Sequence, residues 1–125
     1  MNKKRVEEYI PVAINTLKDS NTFKISKNNK INKTFRGAIS TFGAAITMGS
    51  FKAAVAFFCD NGSSTIERSE LIKALYYITK GTVKESKEIC DEVSKLDGKQ
   101  LSDMKEEFIN ASVAIKLAMN AFELT

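Results

Sequence analysis

The chain has no histidine and no tryptophan, one proline and two cysteines among 125 residues. Without histidine, acid–base catalysis near neutral pH would require a shifted carboxylate or lysine. The adjacent acidic pairs Glu7-Glu8, Asp91-Glu92 and Glu106-Glu107 would point about 100° apart on a helix and do not converge. They read as solvated helix faces. Zinc sites need clustered Cys/His ligands, whereas Cys59 and Cys90 lie far apart in apolar, helix-like contexts. They read as reduced core thiols, with a disulfide between them the alternative that the sequence leaves open. No G-x-S-x-G, P-loop or G-x-G-x-x-G motif occurs, so no enzyme activity, metal or cofactor is expected. No apolar run reaches 18 residues, and Met1 is followed by Asn2-Lys3-Lys4-Arg5 rather than by an apolar segment. The expectation is a soluble, cytoplasmic chain with no signal peptide and no membrane contact.

What is present is helical periodicity. The length predicts a single domain over residues 1–125, burying about two-thirds of its unfolded surface. Val6, Tyr9, Ile10, Ala13, Ile14 and Leu17 form one apolar stripe over Lys3 to Asp19, in which Pro11 predicts a kink or a start near Ile10. Residues 20–30 lose the pattern and read as a basic polar loop. Ile31, Phe35, Ile39, Phe42 and Ile46 define the next helix; Gly37 and Gly43 inside it predict close approach of another helix. Gly49-Ser50 predicts a C-cap followed by an N-cap, and Phe51 to Phe58 is apolar nearly all round, which predicts burial.

Asp60 to Ser64 reads as a turn, and Ser64 with Glu67 as a capping box for a helix that Gly81 closes. Val83 to Leu96 is a weaker amphipathic helix ended by Asp97-Gly98. Lys99 to Leu124 carries Leu101, Met104, Phe108, Ala111, Ile115, Ala118 and Phe122 on one face and Ile109, Val113, Leu117 and Leu124 on another. Two apolar faces predict a central helix or one shared with another chain. No alternating segment predicts a strand. The fold class is all-α, a single-domain bundle of five to six helices.

Charge is uneven. Residues 1–53 hold ten Lys/Arg against three Asp/Glu, and residues 54–125 hold nine against twelve. The polarity suggests an anionic partner together with protein contacts. Lys18, Lys24, Lys27, Lys30, Lys33 and Arg36 are the candidate nucleic-acid-binding residues, with Asp19 the only acid among them. The last five recur every third residue, interleaved with Asn28, Asn29 and Asn32, a pattern that could follow a strand backbone electrostatically. A solvated lysine-rich loop is the plain alternative. Phe23 and Tyr9 could stack on bases but suit a core better. A helix-turn-helix around Asp60 to Ser64 fits poorly, because its second helix would be charge-balanced and its turn long.

The stretch from Phe35-Arg36-Gly37-Ala38-Ile39 through Met48-Gly49-Ser50 to Ala53-Ala54-Val55-Ala56-Phe57-Phe58, continued by Arg68 to Ile78, resembles the small all-helical subunit of the type III-B CRISPR effector, the Cmr complex. The likeness lies in an aromatic-basic pair opening a helix, a Gly-containing turn, and a short apolar helix ending in Ala-Phe. It covers about residues 31–80 and departs at Gly43 and Gly49-Ser50-Phe51, where many members have Pro and Gly-Leu. The resemblance implies a non-catalytic ribonucleoprotein subunit in antiviral defence. Its implied partners are the backbone and large subunits, guide and target RNA, and further copies of itself. Arg36 takes the family's basic position. The competing expectation is a free-standing helical adaptor or regulator that binds protein or duplex DNA.

Overall fold

The computed structural model describes residues 1–60 and 67–125. In chain order these form α1 (Lys3–Lys18), β1 (Ser26–Lys27), β2 (Lys30–Ile31), α2 (Lys33–Met48), α3 (Phe51–Cys59), α4 (Ser69–Lys80), α5 (Ser86–Ser94) and α6 (Gly98–Ala118). A 3-10 turn (Met119–Ala121) and β3 (Glu123–Leu124) complete the chain. The all-α expectation is met, with six helices among the described residues and a three-stranded sheet of two-residue strands added to them. Among the described residues, no helix is long and apolar enough to cross a membrane.

The buried stripe of α6 runs Met104, Phe108, Ala111, Ile115, Ala118, in steps of four and three. Against it lie α1 through Val6, Tyr9, Ala13 and Leu17, α2 through Phe35, Ile39, Phe42 and Ile46, and α4. The second apolar face is used as well: Ile109 and Val113 pack partly buried against the core, whereas Leu117 is exposed. Phe108 sits where three elements meet, its ring 6.5 Å from Phe42 and 5.2 Å from Phe51, the latter edge to face. Alanine at 111, 114 and 118 lets neighbouring backbones approach; all three are essentially inaccessible.

Local signals explain most boundaries. Asn2 caps α1, its side chain accepting from the Arg5 N–H at 3.1 Å. The Asn2 N–H in turn donates to the buried Asn110 side chain at 2.9 Å, anchoring the chain's start to α6. The helix therefore begins at Lys3, not near Ile10, and runs through Pro11. Pro11 occupies the exposed face, where water can satisfy the Glu7 carbonyl that proline leaves without a donor. Gly49 and Ser50 act as foreseen: the Gly49 N–H donates to the Ala45 carbonyl at 2.8 Å, and Ser50 caps α3 through the Ala53 N–H. A Cβ at Gly49 would meet the Ala45 carbonyl oxygen at 3.0 Å. Gly81 closes α4 with φ 75°, in the left-handed region that favours glycine.

Several expectations fail for identifiable reasons. The helix engulfed on all sides is α4, with Leu71, Ile72, Ala74 and Leu75 fully buried. By contrast α3 lies at the edge: Phe51, Ala54, Val55 and Phe58 face inward while Ala53, Ala56 and Phe57 face out. Of the two helical glycines, Gly43 does face α6, where an added Cβ would stand 3.5 Å from the Ser112 hydroxyl, but nothing approaches Gly37. The last helix stops at Ala118 rather than reaching Leu124, because the 3-10 turn directs Phe122 into the core and Glu123–Leu124 alongside β2. The turn at 60–64 and the Ser64 cap fall mostly on residues 61–66, outside the described residues; α4 itself begins at Ser69.

The aromatic junction of α2, α3 and α6 generates a direct test. Phe108→Ala should lower stability by about 3–5 kcal/mol, the cost of a fully buried aromatic plus its residual cavity. Denaturant unfolding would report it as a lower midpoint at unchanged slope.

Candidate nucleic-acid interface

The segment between α1 and α2 is built, not loose. The Asp19 carboxylate accepts from the Thr22 N–H, three residues on, at 3.1 Å and so pins the turn locally. Hydrogen bonds from Thr22 hold the Asp19 carboxyl below its ordinary pKa. Phe23 is then driven inward, its ring 5.4 Å from Tyr77. The Lys24 N–H donates to Glu70 Oε1 at 2.8 Å, and Lys73 Nζ reaches both that oxygen at 3.4 Å and the Thr22 carbonyl at 3.2 Å. Glu70 and Lys73 are both buried. A buried ion pair with backbone partners on each side fixes the turn firmly onto α4.

The chain next forms a hairpin. Ser26 pairs with Ile31 and Lys27 with Lys30 in antiparallel register. The two residues between are Asn28 and Asn29, at φ 54° and 63°. Two consecutive left-handed residues make a type I′ turn, and asparagine is the non-glycine residue that tolerates it best. The Ser26 hydroxyl donates to the Leu17 carbonyl, so β1 lies on the C-terminal end of α1. On the other side β3 runs parallel to β2, with Lys30 opposite Glu123 and Ile31 opposite Leu124. The Glu123 N–H donates to the Asn29 carbonyl at 3.2 Å, and the Thr125 N–H to the Ile31 carbonyl at 2.8 Å. Asn32 finally caps α2 by accepting from the Thr34 N–H.

The basic polar loop expected at residues 20–30 thus carries a hairpin from Ser26 onward. Phe23, Ile25 and Ile31 are anchors with at most 5% exposure. Tyr9 is buried too, its hydroxyl bonded to Glu107 and its pKa raised by burial and that carboxylate. Neither Phe23 nor Tyr9 offers a stacking surface.

The structure separates the six candidate cations into distinct situations. Lys27, Lys30 and Lys33 are exposed along the hairpin and the first turn of α2, and Arg36 follows on the same helix. Lys18 closes α1, where its charge favours the helix C-terminus, beside the start of β1. Lys24 is exposed at the edge of the turn. Two of the six are engaged: Lys30 lies 3.8 Å from Glu123, and Arg36 Nη1 donates to Asn120 Oδ1 at 2.7 Å. Sequence reading missed both partners, because a contact across more than eighty residues has no local signature.

Members of the acidic pairs are engaged by cations and hydroxyls, and Glu8 and Glu107 both reach Arg5, at 3.8 and 3.9 Å. Glu92 accepts from Lys84 and Tyr76 at 2.9 Å each, Asp91 pairs with Lys95, and Glu107 with Arg5 and Tyr9. Among the described residues, no group of three or more Cys, Asp or Glu side chains is placed to hold a metal ion.

Asn28→Val should cost about 1–2 kcal/mol, because a β-branched residue is strained at positive φ, while Asn28→Gly should leave stability nearly unchanged. Thermal unfolding of the two variants separates this backbone requirement from any role of the amide. Comparison with protein-family models, with curated proteins and with solved structures returned no match for this chain.

Proposed function

We propose that the chain is a non-catalytic subunit of a cytoplasmic RNA-guided ribonucleoprotein, contributing a basic strip to the channel that holds guide and target RNA. One observation carries this reading: Lys27, Lys30 and Lys33 are exposed on a hairpin and helix start that are tied to α1, α4 and β3. Cations on a fixed scaffold lose little conformational freedom when they meet phosphates, and their contribution is independent of base identity. The exposed ion pair between Lys30 and Glu123 is weak enough for a phosphate to displace the carboxylate. The resemblance of residues 31–80 to the small subunit of the type III-B CRISPR effector, in which Arg36 takes the basic position, supplies the setting. In that setting the partners are backbone and large subunits and further copies of this chain, and the role is antiviral defence.

A second reading has its own observation. Met48 is 88% exposed and Phe57 60% exposed, with a shallow cavity of about 620 Å³ between them on α2 and α3. Exposed apolar surface of this kind suits a protein partner, as a helical adaptor would require. In that case the apolar face, and not the hairpin, carries the affinity.

Replacing Lys27, Lys30 and Lys33 with Ala in the assembled complex should flatten the plot of log RNA affinity against log salt by roughly two units, at about 0.7 per phosphate contact. Glu123→Gln should do the reverse, strengthening binding by releasing Lys30. Helix content should hardly change in either variant. Unaltered affinity and slope in the folded, incorporated triple variant would reduce these lysines to a solubility feature and leave the adaptor reading standing.

A further inference from the structure

Cys59 ends α3 and Cys90 lies in the second turn of α5, and these two helices pack directly against each other. Both thiols are free and half-buried. They line one open cavity of about 380 Å³ on the surface, bordered by Ala56, Lys87, Asp91 and Ser94. The Cys59 thiol donates to the Ser86 carbonyl at 3.2 Å, which brings it against α5 one turn before Cys90. Ordinary core cysteines have neither a facing thiol nor a route to solvent. This pair has both.

We infer that Cys59 and Cys90 form a reversible dithiol–disulfide couple, closed by hydroperoxides, that covalently ties α3 to α5. The chemistry follows from the placement. The Cys90 sulfur attacks the O–O bond of the peroxide, taking one oxygen as a sulfenic acid and releasing one water from hydrogen peroxide. The Cys59 sulfur then attacks the Cys90 sulfur and expels hydroxide, which leaves as water with the Cys59 proton. Two thiols and one peroxide thus give one disulfide and two waters. The hydrogen bond from the Cys59 thiol to the Ser86 carbonyl holds its proton until the second step, and burial, with the neighbouring Cys90, pushes that thiol up to about 12.

The bond closes the chain from residue 59 to residue 90 and so removes conformational freedom from the unfolded state rather than creating new folded contacts. This inference is independent of the RNA-binding reading, and the chain alone suffices to test it. The reduced protein is treated with stoichiometric hydrogen peroxide, and free thiols, intact mass and melting temperature are followed. Both thiols should disappear together with a loss of two hydrogen masses, and a non-reducing digest should contain one crosslinked pair joining Cys59 and Cys90. Dithiothreitol should restore both thiols, and Tm should be higher in the oxidised form by roughly 5 °C or more. With peroxide in excess, the remaining Cys90 of Cys59→Ser should take up a second equivalent and advance to sulfinic acid, which dithiothreitol does not reverse. Oxidation of one cysteine while the other still alkylates, or disulfide-linked dimers in place of the internal bond, would overturn the inference.

Discussion

Burial of α6 is the constraint from which the remaining architecture follows. Met104, Phe108, Ala111, Ile115 and Ala118 are at most 3% exposed, and α1, α2 and α4 each pack on the helix that carries them. Large side chains fill the spaces between helices while alanines let backbones come close, so the same stripe sets both spacing and register. Polar bonds then fix orientation: the Asn110 side chain holds the Asn2 amide, and Glu107 takes the Tyr9 hydroxyl. These bonds cost little only because each partner is satisfied.

The candidate interface depends on that helix at long range. Because α6 ends at Ala118 and the 3-10 turn buries Met119, the last residues emerge beside β2 rather than continuing outward. A two-stranded hairpin of two-residue strands would be marginal by itself. Here β3 covers one edge, Leu17 accepts from Ser26, and Glu70 accepts from the Lys24 amide. The lysines consequently project from a scaffold held on three sides. The same arrangement sets Glu123 against Lys30, so the strip carries its own weak counter-ion.

Helical periodicity exposed α1, α2 and the central part of α6 in the sequence because each has one unbroken stripe. The same rule misjudged α3. Apolar composition around α3 suggested full burial, yet its position at the edge of the bundle leaves Phe57 in solvent. The interior position of α4 had no such signal, because Glu70 and Lys73 are charged residues that only the fold pairs in the interior. The strands had no sequence signature: two residues cannot show alternation, and the β2–β3 pairing joins positions more than ninety residues apart. Asn28-Asn29 was the one local signal for a hairpin, since consecutive left-handed residues favour asparagine. The basic residues themselves were readable from composition. Their grouping into exposed, neutralised and helix-capping positions was not, because Asn120 and Glu123 reach them only through the tertiary fold.

The proposal that RNA lies against the hairpin and the first turn of α2 is tested most directly by ultraviolet crosslinking of the assembled complex, followed by mass spectrometric identification of RNA-linked peptides. Crosslinked nucleotides should map to residues 24–36. Crosslinks confined to α4, α5 or the exposed face of α3, with the hairpin peptide recovered unmodified, would contradict it.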